Sequence, residues 1–404
     1  MAGQRELSRR AHPELSKAQR RRPPGHAGWG GIEIAAAEGA TAAADAVRLA
    51  TRRLDGANRL TLLFSSQIDP ALAAQSAADA GAGAPLVGLT TAGCMHSDGA
   101  IETGAVAVCF GSDYDIGVGS AGAVGKSPRL AAANATRRAL DAIEASRQPH
   151  RLLILLSDPD SGDPGEAVGG AYSAAGSRVP IVGGTAAGPV AVPLLGSRRR
   201  DDTIVAVAIA SPRPIAVADA HSCAIIGLPG IVTRSEGPLI REIDGEPALD
   251  VYLRAHAGSP EMDDRTFEAF AATRPLAQRE IRRTHRIRRI RSRVGKALLC
   301  TTRIPTDAGI EFAIEQPTLS EAASIGAVRE AVLGLRANPA RAIVVFSNVA
   351  RRIANGGGNC EVAAISSILP GETSFAGAYT GGEFARTRGA KGDLSHAIAV
   401  ACFA

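Results

Sequence analysis

Three short stretches of the chain are almost purely apolar, and a serine follows each of them. They cover residues 60–64, 152–156 and 343–346. Runs of this kind, without an apolar/polar alternation, are typical of strands that are buried on both faces. Each run therefore predicts an interior strand with a polar tip.

A helical pattern precedes each of these strands. Ala and Leu recur at helical spacing in residues 33–54, and similar patterns cover residues 128–146 and 318–337. The last pattern begins with Thr318 and Ser320 ahead of Glu321, which is typical of a helix start. The order of helix and then strand thus occurs three times.

A glycine-flanked loop and a second strand follow each predicted strand. The loops cover residues 88–93, 183–188 and 377–382, and an apolar segment follows each one. Self-similarity of this kind indicates an internal repeat. We therefore predict an α/β fold of layered β-sheets flanked by helices, built from repeated helix-strand-loop-strand units in two halves.

The stretch between the second and third copies has a different pattern. Short strands and turns are predicted from residue 212, with a β-hairpin turning at residues 235–238 and a helix after Asp244-Gly245. This change places a domain boundary near residues 212–230. We predict a first domain of residues 31–225 and a second of residues 226–404, after a disordered basic tail of residues 1–30.

The charge of the chain is unevenly distributed. The net charge is +5, and residues 1–30, with seven Lys or Arg and two Glu, carry that excess. A second basic run, residues 274–296, holds nine Arg and one Lys. With only 3% aromatic residues to stack on bases, nucleic-acid binding is not expected, and we interpret this run as a solvated face or a surface for an acidic partner.

The six cysteines indicate the compartment and the cofactor chemistry. None forms a C-x-x-C pair or a Cys/His cluster with zinc spacing, and several lie inside apolar runs. We therefore expect free thiols, no metal and no cofactor. No apolar run is long enough for a membrane helix, and the N-terminus has no secretory apolar region, so we expect a cytoplasmic protein without membrane contact.

Three motifs resemble one known family, the FIST sensory domain, a bacterial signal-transduction input module with an N-terminal and a C-terminal half. They are the segments 85–93, 232–249 and 377–383, and the resemblance covers about residues 33–404. It implies binding of a small ligand, an amino acid among the candidates, and transfer of that signal to another protein. Since no kinase, GGDEF or methyl-accepting segment is recognised, a stand-alone sensor with a separate signalling partner is expected.

The chain departs from the family pattern at two places. Asn348 stands where the family usually shows Cys, with Arg351 or Arg352 supplying the Arg that follows it. His396-Ala397-Ile398 stands where the family favours Asn-x-Thr. These departures leave open whether the ligand site of the family is retained.

The glycine loops supply the candidate ligand-binding residues. We expect Glu383 to be a solvated carboxylate in an empty cleft that binds an ammonium group, and Arg351 to hold a carboxylate bidentately. The alternative is that the glycines only supply turns and that Glu383 is a surface residue of a hairpin. The full candidate set is Thr90, Thr91, Gly93, Thr185, Arg351, Tyr379, Thr380, Gly382 and Glu383.

Two other function classes remain open. An enzyme, either a hydrolase or a transferase, would use His96, His396 or Glu383 in the same cleft. A scaffold protein would have a vestigial pocket filled by Ala and Leu. No Ser–His–Asp order and no G-x-S-x-G motif is found, so no catalytic residue is assigned and a binding protein is expected.

Overall fold

The computed structural model describes residues 31–123, 127–258, 261–280, 285–369, 371–386 and 392–404, so the predicted basic tail, residues 1–30, lies outside the described residues. Up to residue 221 the elements are β1 (Ile32–Glu38), α1 (Ala42–Arg53), β2 (Leu60–Ser66), α2 (Pro70–Ala80), β3 (Leu86–Thr90), β4 (Cys94–His96), β5 (Gly99–Ile101), β6 (Gly104–Phe110), β7 (Asp115–Gly122), α3 (Pro128–Asp141), β8 (His150–Ser157), α4 (Pro164–Ala175), β9 (Ile181–Thr185), β10 (Pro193–Leu195), β11 (Arg198–Arg199), β12 (Thr203–Ser211) and β13 (Ile215–His221). The remaining elements are β14 (Cys223–Glu236), β15 (Leu239–Ile243), β16 (Glu246–Pro247), α5 (Ala248–Ala255), α6 (Asp264–Ala271), β17 (Leu276–Arg279), β18 (His285–Arg288), β19 (Ile290–Val294), β20 (Ala297–Cys300), β21 (Gly309–Glu315), α7 (Pro317–Gly334), β22 (Ala342–Asn348), α8 (Val349–Ala354), α9 (Asn359–Ser366), β23 (Ser374–Thr380), β24 (Gly382–Arg386), β25 (Asp393–Leu394) and β26 (Ala397–Phe403).

The chain folds as an α/β protein, as the sequence predicts, and three of its sheets follow one plan. Their first four strands are ordered β1-β6-β2-β3, β7-β12-β8-β9 and β13-β26-β22-β23. In each sheet the strand of the predicted apolar run pairs in parallel with the strand that carries the glycine segment. It pairs antiparallel with the last strand of its unit on the other side.

A two-stranded ribbon from another unit completes each of these sheets. The ribbon β10–β11, which follows β9 in the chain, extends the first sheet beside β3. The ribbon β24–β25 extends the second sheet beside β9, and β4–β5 extends the third beside β23. The exchange therefore runs in a closed cycle through all three sheets.

The three sheets surround one shared core. Phe64 of the first sheet packs edge-to-face on Phe346 of the third, with ring centroids 5.6 Å apart, and the same cluster includes Ile154 of the second sheet. The outer faces are covered by helices, α1 and α2 on the first sheet, α3 and α4 on the second, and α7 and α9 on the third. Both faces of the central strands are therefore buried, which explains their unbroken apolar runs.

One predicted helix is partly wrong. Residues 33–54 were expected to form a single helix, but β1 (Ile32–Glu38) precedes α1 and pairs antiparallel with β6. Ile32 and Ile34 pack against the shared core while Ala35 packs beneath the helices. This alternation over two faces has the period of a strand, and the run of alanines disguised it.

A fourth sheet is inserted between β13 and α7. Its strands are ordered β18-β17-β21-β14-β15-β20-β19, with β16 paired to β15, and α5 and α6 enclose a separate small core on one face. The predicted hairpin at residues 235–238 is confirmed, because Glu236 of β14 pairs with Leu239 of β15. The predicted domain division at residue 225 stays a prediction. Within the described residues, no helix is long and apolar enough to cross a membrane.

Candidate functional site

The glycine segments are required first of all by packing. Gly88, Gly183 and Gly377 lie directly opposite residues of the neighbouring central strand. A Cβ atom would stand 2.1 Å from the carbonyl oxygen of Leu63 at Gly88, and 1.8 Å from that of Leu155 at Gly183. No side chain fits at such distances, so these glycines are explained without a ligand.

Three of the candidate hydroxyls hold neighbouring strands together. Thr90 Oγ1 donates to the carbonyl of Val190 at 2.7 Å, three residues before the ribbon strand β10 begins. Thr91 Oγ1 donates to the carbonyl of Ser65 at 3.2 Å. Thr185 Oγ1 lies 3.1 Å from Ser157 Oγ at the tip of β8. Thr90 and Thr91 are buried and Thr185 is half-buried.

Glu383, the second residue of β24, lies in a closed polar pocket. Asn348 Nδ2 donates to its two carboxylate oxygens at 3.0 and 3.1 Å, and Thr380 Oγ1 donates to it at 2.8 Å. The side chain is fully buried, and burial raises the pKa of Glu383 to about 8. The expectation of a solvated carboxylate is therefore wrong, because β24 lies between β9 and β25 rather than at a surface.

Arg351 is a second fully buried charged group, and it lies in α8, three residues after the end of β22. Its Nη2 lies 2.7 Å from Glu361 Oε1, and both side chains are almost completely hidden from solvent. The guanidinium also donates to Ser222 Oγ, Ser324 Oγ, Ser347 Oγ and the carbonyl of Ser320. A ligand carboxylate would have to displace these internal acceptors to reach Arg351.

Tyr379 and Thr380 point to opposite faces of β23, although they are adjacent in sequence. Tyr379 packs in the hydrophobic cluster between the third sheet and the helices α7 and α9. Its hydroxyl donates to the carbonyl of Gly358 at 3.4 Å. Gly93 lies beside this ring, since a Cβ there would stand 3.3 Å from Tyr379 Cδ2 and 3.2 Å from the guanidinium of Arg352. Gly93 has a φ of 128°, which favours glycine.

The structure thus divides the predicted site residues into groups. Thr185, Gly382, Thr380 and Glu383 are contiguous, because Thr185 pairs with Gly382 and Thr380 contacts the carboxylate. Tyr379 and Gly93 form a separate group on the outer side of the third sheet. That these residues bind a ligand stays a prediction.

A charged cavity lies elsewhere, between α4 and the inserted sheet. It is a cleft of about 510 Å³. Four arginines and three carboxylates line it, together with the aromatic ring of Tyr172. The charged residues are Arg129, Arg286, Arg288, Arg303, Asp163, Glu166 and Asp393.

The charged residues of this cleft come from separate parts of the fold. Asp163 caps the N-terminus of α4, where its Oδ1 accepts from the amide of Gly165 at 2.8 Å. Arg129 of α3 donates to Glu166 at 2.6 Å across the cleft wall. Gly169 leaves room for this arginine, since a Cβ at Gly169 would stand 2.9 Å from Arg129 Nη2.

The opposite wall corrects one prediction. The basic run of residues 274–296 was expected to form a solvated face or a surface for an acidic partner. Arg291 and Lys296 are exposed, but the side chains of Arg286 and Arg288 are only 15% and 8% exposed. Both donate to Asp393 of β25, at 3.0 and 2.6 Å. The basic run was therefore the sequence signal for this wall, and its acidic partner lies more than a hundred residues away. Residues 281–284 of the run lie outside the described residues.

A second cavity, of about 190 Å³, opens beside the buried Arg351–Glu361 pair. Pro317 and Thr318 at the start of α7 line it, together with Asn355, Cys360 and Glu361. It holds fewer charged groups than the larger cleft and is less than half its volume.

Comparison with protein families identifies both halves of this architecture. Residues 59–246 match the FIST N domain, and residues 248–386 match the FIST C domain. The comparison with curated proteins gives no match. A protein with these two halves is a sensory module. The chain belongs to the FIST family, and the resemblance seen in the sequence is confirmed.

Proposed function

We propose that the protein is a sensor for a small polar metabolite that carries both a cationic and an anionic group, as an amino acid does. The proposed site is the cleft of about 510 Å³ between α4 and the inserted sheet. The observation that carries the proposal is the density of opposite charges in a cleft of ligand size. Arginines would bind the anionic group of the ligand, and the carboxylates would bind the ammonium group.

The charge balance of the cleft favours such a ligand. Four arginines against three carboxylates leave one positive charge in excess. Arg303 forms only weak ion pairs in the cleft. Its side chain is 69% exposed, and its side-chain nitrogens lie 4.0 Å from Asp163 and 3.9 Å from Glu166. A ligand carboxylate would pair with Arg303 at little cost in existing hydrogen bonds.

The cleft also offers a route from binding to signalling. Asp393 belongs to the second sheet through β25, yet Arg286 and Arg288 of the inserted sheet bind it. A ligand that competes for these arginines would weaken or strengthen the contact between the second sheet and the inserted sheet. We propose that a separate signalling protein reads this change.

We place the sensor in the cytoplasm. All six cysteines lie within the described residues, and none forms a disulfide. Free thiols, five of them buried, suit a reducing compartment.

The test is a thermal-shift screen of the full chain against amino acids and related metabolites, because a bound ligand raises the melting temperature by mass action. The ligand found is then titrated calorimetrically into wild type, Arg303→Ala and Arg254→Ala. Arg254 is an equally exposed arginine, paired with Glu246 outside the cleft. Loss of one charge-assisted hydrogen bond should weaken binding by about 10- to 150-fold in Arg303→Ala and leave Arg254→Ala unchanged.

A third variant distinguishes the cleft from the site inferred from sequence. If Glu383→Gln weakens binding while Arg303→Ala does not, the ligand occupies the pocket around Glu383 and the cleft assignment is wrong. If no member of the panel shifts the melting temperature, the proposed ligand class is wrong.

A further inference from the structure

Three potential metal ligands meet where the inserted sheet joins the third sheet. They are Cys223 at the start of β14, Glu315 at the end of β21 and His396 just before β26. Their ligand atoms all lie within 4.8 Å of one another, and all three side chains are buried. No motif or spacing in the sequence indicates this group, because the residues are far apart along the chain.

The backbone, and not only contacts between the side chains, brings these three residues together. Cys223 and Glu315 are direct partners in the antiparallel ladder between β14 and β21. His396 has a φ of 53°, a left-handed conformation that is uncommon for residues other than glycine. Its carbonyl accepts from the amide of Ser222, the residue before Cys223, at 3.3 Å.

The distances approach those of a coordination shell. Cys223 Sγ lies 3.5 Å from Glu315 Oε2, and His396 Nδ1 lies 2.9 Å from the same oxygen. Around a tetrahedral zinc ion, with bonds of about 2.0–2.3 Å, neighbouring ligand atoms stand roughly 3.3–3.6 Å apart. The thiol and the carboxylate already have this separation, the imidazole is a few tenths of an ångström too close to the carboxylate, and the ligand atoms of Cys223 and His396 lie within 4.8 Å of each other.

A second observation points to a missing partner. His396 Nε2 is buried, and none of the described residues forms a hydrogen bond with it. A buried polar atom without a partner is costly, so a native structure that retains one calls for an explanation. Coordination through Nε2 would give this atom a partner, and it needs a rotation of the ring that breaks the hydrogen bond between Nδ1 and Glu315.

We propose that Cys223, Glu315 and His396 bind one divalent transition-metal ion of the zinc type. A thiolate, an imidazole and a carboxylate together are a donor set that suits zinc and not magnesium or calcium. The ion would join the inserted sheet, through β14 and β21, to the segment that leads into β26. This site is separate from the proposed ligand cleft, so the two proposals stand or fall independently.

The surrounding charges are compatible with an ion at this place. Ser222 Oγ donates to Glu315, and Arg351 donates to the same hydroxyl at 2.8 Å. Glu361 already neutralises Arg351. Cys223 releases its thiol proton to solvent when the ion binds. The resulting thiolate and the carboxylate then balance the two charges of the ion, and Ser222 holds the carboxylate in place as outer partners of metal ligands do.

The experiment loads the full chain with Co²⁺ during expression, because cobalt replaces zinc and reports its ligands by absorption. We expect one Co²⁺ per chain by elemental analysis and a thiolate-to-cobalt charge-transfer band. Cys223→Ser should abolish that band and weaken ion binding at least about 100-fold, the upper end for loss of an outer partner alone. Cys360→Ser, which removes the exposed thiol, and Cys402→Ser, which removes another buried one, should keep the band.

Several outcomes would overturn the proposal. These are the absence of bound ion in the wild type, a thiolate band that persists in Cys223→Ser, and a band that is lost in Cys360→Ser. If Cys223→Ser does not fold, His396→Gln replaces it as the test, and ion uptake equal to that of the wild type then refutes the site. Zinc-loaded wild type should also melt at a higher temperature than chelator-treated wild type, and equal melting temperatures would argue against a bound ion.

Discussion

The three-sheet body and the inserted sheet handle charge and burial in opposite ways. Every residue of β22 in the body is buried, whereas buried and exposed positions intermingle along β14 of the inserted sheet. The body places ionisable groups such as Arg351 and Glu383 in fully closed pockets. Away from its contact with the body, the inserted sheet carries charges in exposed pairs, such as Glu246 of β16 with Arg254 of α5, and leaves Leu228 83% exposed.

This difference shows where function can be built. A charge enclosed in the body is fixed by its partners, and a charge on the outer face of the inserted sheet is screened by water. The charged cleft at the junction of the two regions combines partly buried charges with access from solvent. The buried Cys223–Glu315–His396 group also lies where the inserted sheet joins the body.

The largest contrast should come from removing one arginine in each region. Arg351→Met leaves Glu361 as an uncompensated buried charge and should cost about 3–5 kcal/mol of unfolding free energy. Arg254→Met removes one partner of an exposed pair and should cost about 0–1 kcal/mol. Urea unfolding followed by circular dichroism measures both. Similar unfolding midpoints for the two variants would contradict the contrast.

A smaller contrast is expected from two strand glycines. In Gly88→Ala the new Cβ meets the carbonyl oxygen of Leu63 at 2.1 Å, so β2 and β3 must separate. The resulting overpacking should cost about 1–3 kcal/mol or more. In Gly309→Ala on β21 the nearest atom is 3.6 Å away, and stability should hardly change. Thermal unfolding of both variants is the measurement, and a stable Gly88→Ala would show that the body can relax.

The smallest contrast concerns pH. Burial raises the pKa of Glu383 from 4.5 to about 8, so the folded state holds this proton more tightly than the unfolded state. The stability contributed by the proton is fully present below pH 4.5 and is lost as the pH rises through about 8. The melting temperature of wild type should therefore fall more between pH 5 and pH 8.5 than that of Glu383→Gln.

The exposed carboxylate of Glu246 provides the control for this pH experiment. Glu246→Gln should keep the pH profile of wild type, because this side chain is 53% exposed. If Glu383→Gln and wild type lose stability in parallel, Glu383 is ionised in the folded protein near neutral pH and its pocket stabilises the charge.

Much of the body could be predicted from the sequence. Its central strands are unbroken apolar runs because helices cover one of their faces and the shared core covers the other. The ribbons could not be predicted in the same way. Strand β4, Cys94–His96, has three residues, which is too short to show a period, and its partner β23 lies almost three hundred residues away.

The candidate site was less predictable because the direction of a side chain decides its chemistry. Sequence could not choose between Arg351 and Arg352. In the structure, Asn348 caps α8 through the amide of Ala350, and this start of the helix turns Arg351 inward and leaves Arg352 beside the ring of Tyr379. Likewise, Asp393 pairs with Arg288 across 105 positions of sequence, and no local pattern encodes such a contact.

The cyclic exchange of ribbons has a consequence for how such a protein can be divided. Each unit donates one ribbon and receives another, which is the head-to-tail contact found in a ring of three identical subunits. A chain of two units would leave one sheet edge bare and one ribbon without a sheet, and exposed edges invite aggregation. An exchange of this kind closes only with the third unit, so cutting the chain between units should yield fragments that recombine rather than fold alone.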